Sequence, residues 1–261
     1  MIFTIYPIGV CIYLLALAGI LGLVMGSALN CLALRLVSGE KWSGGRSHCV
    51  HCRHELGVLD LIPLFSWLFL RGKCRYCGRK ISPRYMIAEA LLAVVFMTVV
   101  ARFGLTLQCF SALVLCGCLF CLSLVDLDIQ IIPDRFLVIS AVTQLLCLFI
   151  TGGLAGAWYG LWHGLLLGGS VLLLSVAMDK LLHKPSMGGG DIKLLFVLGL
   201  FFDIPCCFLL LILACVLGIV LALLLSTKAG AAFPFGPALA ASAWLTLIVG
   251  QSLTAWYLGL F

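Results

Sequence analysis

The chain has 261 residues, 64% of them apolar, with 16 basic and 10 acidic side chains and a net charge of +6. Soluble domains run nearer ~45–50% apolar and about 25% charged, so this composition argues against a water-soluble enzyme of one domain. At roughly 20 apolar residues per crossing it furnishes about eight membrane helices, and little is left for a large domain outside the bilayer.

The first uncharged run, residues 5–34, has no basic residue before it and no small-residue cleavage pattern after it. It is expected to be a retained first span (residues 1–34) and not a signal peptide that is removed. A polar island follows (residues 35–85), holding ten Lys/Arg against Glu40, Glu55 and Asp60, while the rest of the chain sums to −1. The positive-inside rule places this island in the cytoplasm. A basic loop beside a membrane span also accounts for the charge without a nucleic-acid partner.

Ten of the fourteen cysteines lie in or beside apolar runs, where Cys acts as a small hydrophobe. The other four form Cys49-Val-His-Cys52 and Cys74-Arg-Tyr-Cys77, with 21 residues between the pairs. Two such knuckles predict a tetrahedral zinc site, with His48, His51 and His54 as alternative ligands. Nearby arginines and lysines favour the thiolates, and a reducing cytoplasm disfavours disulfides. A site closed by four thiolates leaves no position for water, so the metal would be structural and would pin a loop too poor in apolar residues to fold unaided. Between the knuckles, residues 59–70 are apolar but too short to span, and are expected to lie at the membrane interface.

Seven further runs, at 86–101, 105–125, 136–150, 158–178, 194–202, 206–225 and 238–260, predict a seven-span domain over residues 86–261. The run at 194–202 is short. With the island inside, the connections at 126–135 and 179–193 and Lys228 also fall inside, while 102–104, 151–157, 203–205 and both termini fall outside. Every loop with two or more basic residues then shares one face, as one more or one fewer crossing would not allow.

At the inner end of the third span, Asp126 abuts 21 uncharged residues, a costly place for an acid unless it has a task. Asp128 and Asp134 follow it. In Met187-Gly-Gly-Gly-Asp-Ile-Lys193 the glycines, Gly188 and Gly190 among them, allow close approach or unusual torsions and deliver Asp191 to the same face. Simpler readings are a polar end to a span and an acid favouring a helix dipole. Two carboxylates on one face suggest a dyad sharing one proton, one acting as base toward water and the other as acid toward a carbonyl. They stand 65 positions apart, so only helix packing can join them.

The knuckles with the intervening IPLFSWLFLRGKCRYCGRKISPRYMIAEALLA, together with VDLDIQIIPD, GGGDIKLL, FPFGPALA and the early GSALNCLALRL, resemble the bacterial prepilin peptidase (type IV leader peptidase/N-methyltransferase) family over nearly the whole chain. Residues Gly188 to Asp191 are also similar to the GxGD motif of wider intramembrane aspartyl proteases. The resemblance implies an all-α polytopic inner-membrane enzyme, embedded in the lipid bilayer, that cleaves the basic leader of type IV prepilins or type II secretion pseudopilins. It further implies methylation of the new N-terminus with S-adenosylmethionine. The catalytic aspartates carry over to Asp126 and Asp191, the zinc ligands to Cys49, Cys52, Cys74 and Cys77, and support roles to Gly188, Gly190, Lys193, Asp128 and Asp134. Val50 stands where a proline is common, and Asp60 where an asparagine is common. No glycine fingerprint for S-adenosylmethionine is visible, so the site for this cofactor is left open. The alternatives are a peptidase without methyltransferase activity, a proton- or ion-coupled transporter, and a zinc-stabilised scaffold.

Overall fold

The computed structural model describes residues 2, 6–40, 47–183, 187–225 and 233–260. Lys41, Arg46, Lys184 and Lys228, which carry part of the expected inner-face charge, lie outside the described residues. Among the described residues the chain is helical, with two isolated β-bridges and no strand. It forms two compact units, Met1–Gly104 and Leu105–Phe261.

In the first unit, α1 (Ile8–Val37) packs on α3 (Arg84–Phe103) through small residues. A Cβ on Gly22 would sit 2.5 Å from the Ala93 Cα, and one on Gly26 2.9 Å from the Glu89 Cα. Glycines four apart let two backbones approach this closely, the usual device of membrane helix pairs. Glu89, 7% exposed, accepts the Leu64 N–H at 2.7 Å. That bond ties α3 to the start of the one-turn helix α2 (Phe65–Phe69), which follows a 3-10 turn at Val58–Leu61. Phe65, Leu68 and Phe69 of α2 are exposed, as a segment lying at a membrane interface requires.

The second unit comprises α4 (Leu107–Ile129), α5 (Asp134–Leu182), α6 (Gly189–Gly199), α7 (Ile204–Leu224) and α8 (Gly236–Leu258). Helix α4 starts at Thr106, whose hydroxyl accepts the Cys109 N–H, and packs against α5 and α8. Asp203 caps α7 in the same way through the Cys206 N–H, with Pro205 in the first turn.

Helix α5 is broken at Gly153, whose φ of 62° and ψ of −155° reverse the chain. A Cβ on Gly156 would lie 2.7 Å from the Leu148 carbonyl oxygen, whereas residues eight apart in a straight helix are about 12 Å apart. The seven-residue connection expected at 151–157 is therefore one glycine in a conformation that L side chains resist. The two arms flank α6: the Gln144 amide nitrogen Nε2 donates to the Leu200 carbonyl at 3.2 Å, and Gly164 and Gly168 pack against Phe196.

Six helices (α1, α3, α4, α5, α7 and α8) are long and apolar enough to cross a membrane. With the arms of α5 counted separately and α6 added, the apolar helices number eight among the described residues. Helix α6, at about 16 Å, covers only half of a roughly 30 Å hydrocarbon core. Large side chains such as Trp158, Leu173 and Phe208 are more than half exposed, which suits a lipid-facing surface.

Candidate active site and metal cluster

The segment after α4 sets the first half of the site. Gln130 adopts the left-handed conformation (φ 55°) and its N–H returns to the Asp126 carbonyl at 2.9 Å, closing the helix. Pro133 then breaks the chain direction, and Asp134 opens α5. The Asp126 side chain is 5% exposed, and its Oδ2 accepts the N–H of Gly236, the first residue of α8, at 2.8 Å. First-turn N–H groups of a helix have no partner within the helix, so the start of α8 supplies a donor that suits a carboxylate.

The glycine-rich turn sets the second half. Gly188 caps α6 with its carbonyl accepting the Asp191 N–H at 3.1 Å, which puts Asp191 in the first turn. A Cβ on Gly188 would lie 3.1 Å from the Asp191 Oδ2, and one on Gly190 would lie 3.0 Å from the Ile132 Cβ. These glycines serve close approach. None of residues 188–190 has the positive φ that the sequence alone left open.

Asp126, Asp134, Gly188, Gly190, Asp191 and Lys193 thus line one pocket of about 340 Å³. The two carboxyls are near enough for the charge of Asp126 to act on Asp191, which is half-buried. Lys193 Nζ donates to both Asp134 oxygens at 2.9 and 3.0 Å. Asp128 is exposed and does not line this pocket. Gly236 is the residue that sequence reasoning left without a role. Its signal was the FPFGPALA segment, which spacing alone could not attach to Asp126.

The cysteine cluster belongs to the first unit. Each knuckle is a short hairpin: Cys49 N–H donates to the His54 carbonyl and Cys74 N–H to the Arg79 carbonyl, with Arg53 and Gly78 at positive φ in equivalent positions. The sulfurs of Cys49, Cys52, Cys74 and Cys77 all lie within 4.8 Å of one another, with Cys49 and Cys77 3.9 Å apart. Four thiolates at about 2.3 Å from a zinc ion stand roughly 3.8 Å apart, so the cluster fits a metal such as zinc. No histidine joins this group: His54 stacks on Tyr76 and His51 faces Arg79. The Cys52 backbone N–H, aided by that of His51, outweighs burial and holds the Cys49 thiol down at about 6. The Arg79 backbone N–H pulls the Cys77 thiol down, but burial and bonds shared with the other sulfurs outweigh it and push this thiol up to about 11.

The bacterial peptidase A24 N-terminal domain matches residues 20–103, and the type IV leader peptidase family matches residues 113–223. Among similar proteins, the prepilin leader peptidase/N-methyltransferase of Aeromonas hydrophila is 36% identical, over 82% of this chain and 74% of the relative. The protein of that name from Bacillus subtilis is 30% identical over 94% and 98%, and that from Stutzerimonas stutzeri 33% over 92% of each. No solved structure matches the chain.

Proposed function

The chain belongs to the type IV leader peptidase family, and from that footing we propose that it removes the leader of type IV prepilins or type II secretion pseudopilins and then N-methylates the new terminus. The observation that carries the peptidase reading is that Asp126 and Asp191, 65 positions apart, line one pocket at helix ends. One carboxylate takes a proton from water, whose oxygen attacks the scissile carbonyl carbon while the other carboxyl donates its proton to the carbonyl oxygen. The C–N bond then breaks and the leaving amine takes up a proton. Gly236 keeps Asp126 oriented throughout, and Gly188 leaves Asp191 free of side-chain crowding.

A prepilin has a basic leader followed by an apolar helix, so its scissile bond sits at the membrane surface. In this reading Asp126 and Asp191 face the cytoplasm with residues 35–85, both termini lie in the periplasm, and the apolar helices of 86–261, with α6 as a half-span, carry the protease chemistry. Zinc held by Cys49, Cys52, Cys74 and Cys77 is structural. S-adenosylmethionine, when bound, would supply the methyl group for the new amine. A transporter fits less well, since acids in conduction paths are expected near mid-span, whereas Asp126 lies three residues before the end of α4 and Asp191 is the third residue of α6.

The test is prepilin cleavage by Asp126→Asn and Asp191→Asn proteins in membranes. Each variant is expected to insert normally and to leave the prepilin uncut. Normal cleavage by either one refutes the dyad.

A further inference from the structure

The peptidase chemistry uses only the second unit and leaves one motif of the first without a task, the Ser27 and Arg35 of α1. Val24, Ser27, Ala28, Cys31 and Arg35 recur at helical spacing and present one face of α1, while Gly22, Gly26, Asn30 and Ala33 are buried on another. The first face forms a wall of a cavity of about 490 Å³. Opposite stand Ser47 and Leu56, joined by the Leu56 N–H to the Ser47 carbonyl at 2.8 Å at the base of the first cysteine knuckle. We propose that this cavity binds S-adenosylmethionine, the donor for the methylation half of the function proposed above, on which the inference rests.

The fit is chemical as well as volumetric. Small-molecule sites run about 300–1,000 Å³ with apolar walls and a few placed polar groups. Here Val24, Ala28 and Leu56 are the apolar surface for an adenine ring and a methylene chain. The Ser27 and Ser47 hydroxyls suit ribose oxygens, and the Arg35 guanidinium suits the amino-acid carboxylate.

The experiment measures binding of labelled S-adenosylmethionine to the purified, metal-loaded full chain in detergent, with ultraviolet crosslinking and peptide mapping on the same samples. Ala28→Phe, which fills the cavity, and Arg35→Gln are each expected to weaken binding at least about tenfold, the loss of one charge-assisted contact or of the space itself. Prepilin cleavage is expected to stay within about twofold of the parent, which also reports that the variants fold. Crosslinks are expected in residues 24–35 or 47–61. Binding by the parent together with undiminished binding by both variants, or crosslinks confined to residues 105–261, overturns this site while leaving the methyltransferase reading intact. Absence of binding by the parent overturns that reading and the site with it. If Ala28→Phe fails to fold, Arg35→Gln and the crosslink map decide the matter.

Discussion

Gly236 and Asp126 stand 110 positions apart and are joined by a 2.8 Å hydrogen bond from backbone N–H to carboxylate. A Cβ on Gly236 would lie 2.8 Å from the same oxygen and 3.2 Å from its Cγ, so even alanine has no room without moving Asp126. Displacing a reacting group by about 1 Å can cost on the order of 100-fold in rate. Gly236→Ala is expected to lower the turnover of prepilin cleavage by about 10- to 100-fold. A KM near that of the parent would separate loss of alignment from loss of substrate binding.

The Asp134–Lys193 pair has side chains 63% and 60% exposed, so its Coulomb attraction is largely screened. Exposed pairs contribute roughly 0.2–1 kcal/mol. A double-mutant cycle with Asp134→Asn and Lys193→Gln, followed by thermal unfolding in detergent, is expected to give a coupling energy within that range. A larger value would mark this pair as a structural clamp on the pocket.

Metal binding in the first unit should weaken as the pH falls. Metal ligation requires thiolates. The Cys77 thiol, pushed up to about 11, must give up a proton on binding at neutral pH, and the Cys49 thiol begins to hold its own proton near 6. Zinc affinity, measured by chelator competition, is expected to drop about tenfold per pH unit from the Cys77 proton alone between pH 8 and 7, and more steeply on approach to pH 6. Changing Cys74 and Cys77 together to Ser is expected to remove the zinc, read by elemental analysis, and unchanged zinc content would refute this ligand set.

The α1–α3 contact allows no growth at Gly22, where a Cβ would stand 2.5 Å from backbone. Overpacking of this kind costs typically about 1–3 kcal/mol. Gly22→Ala is expected to lower the melting temperature of the solubilised protein, while Gly9→Ala, in open space on the same helix, is expected to leave it unchanged.

What could be read from sequence depended on whether the signal was local. The four cysteines were legible because each ligand pair lies within one turn and the two turns repeat the same geometry. Asp126 and Asp191 stood out because each lies at an end of an apolar run, and the two line one pocket. The Gly236 contact was not legible, since nothing in a glycine 110 residues away announces where its N–H points. The role of Asp128 was also hidden: it shares a short motif with Asp126, yet two positions along a helix turn a side chain away, and it is exposed outside the pocket. The short 194–202 run marked an unusually short helix, but the helix itself is Gly189–Gly199, starting five residues earlier inside the glycine turn, which a count of apolar residues does not include.

The reversal at Gly153 bears on how the protein is made. With a turn of one residue, neither arm of α5 can enter the bilayer while the other stays in water unless the turn is undone. In the folded protein the two arms therefore form one helical hairpin. A tag or protease site inserted at this position would not report topology; it would separate the two halves of the cradle that holds α6, and with it the helix that begins at Asp191.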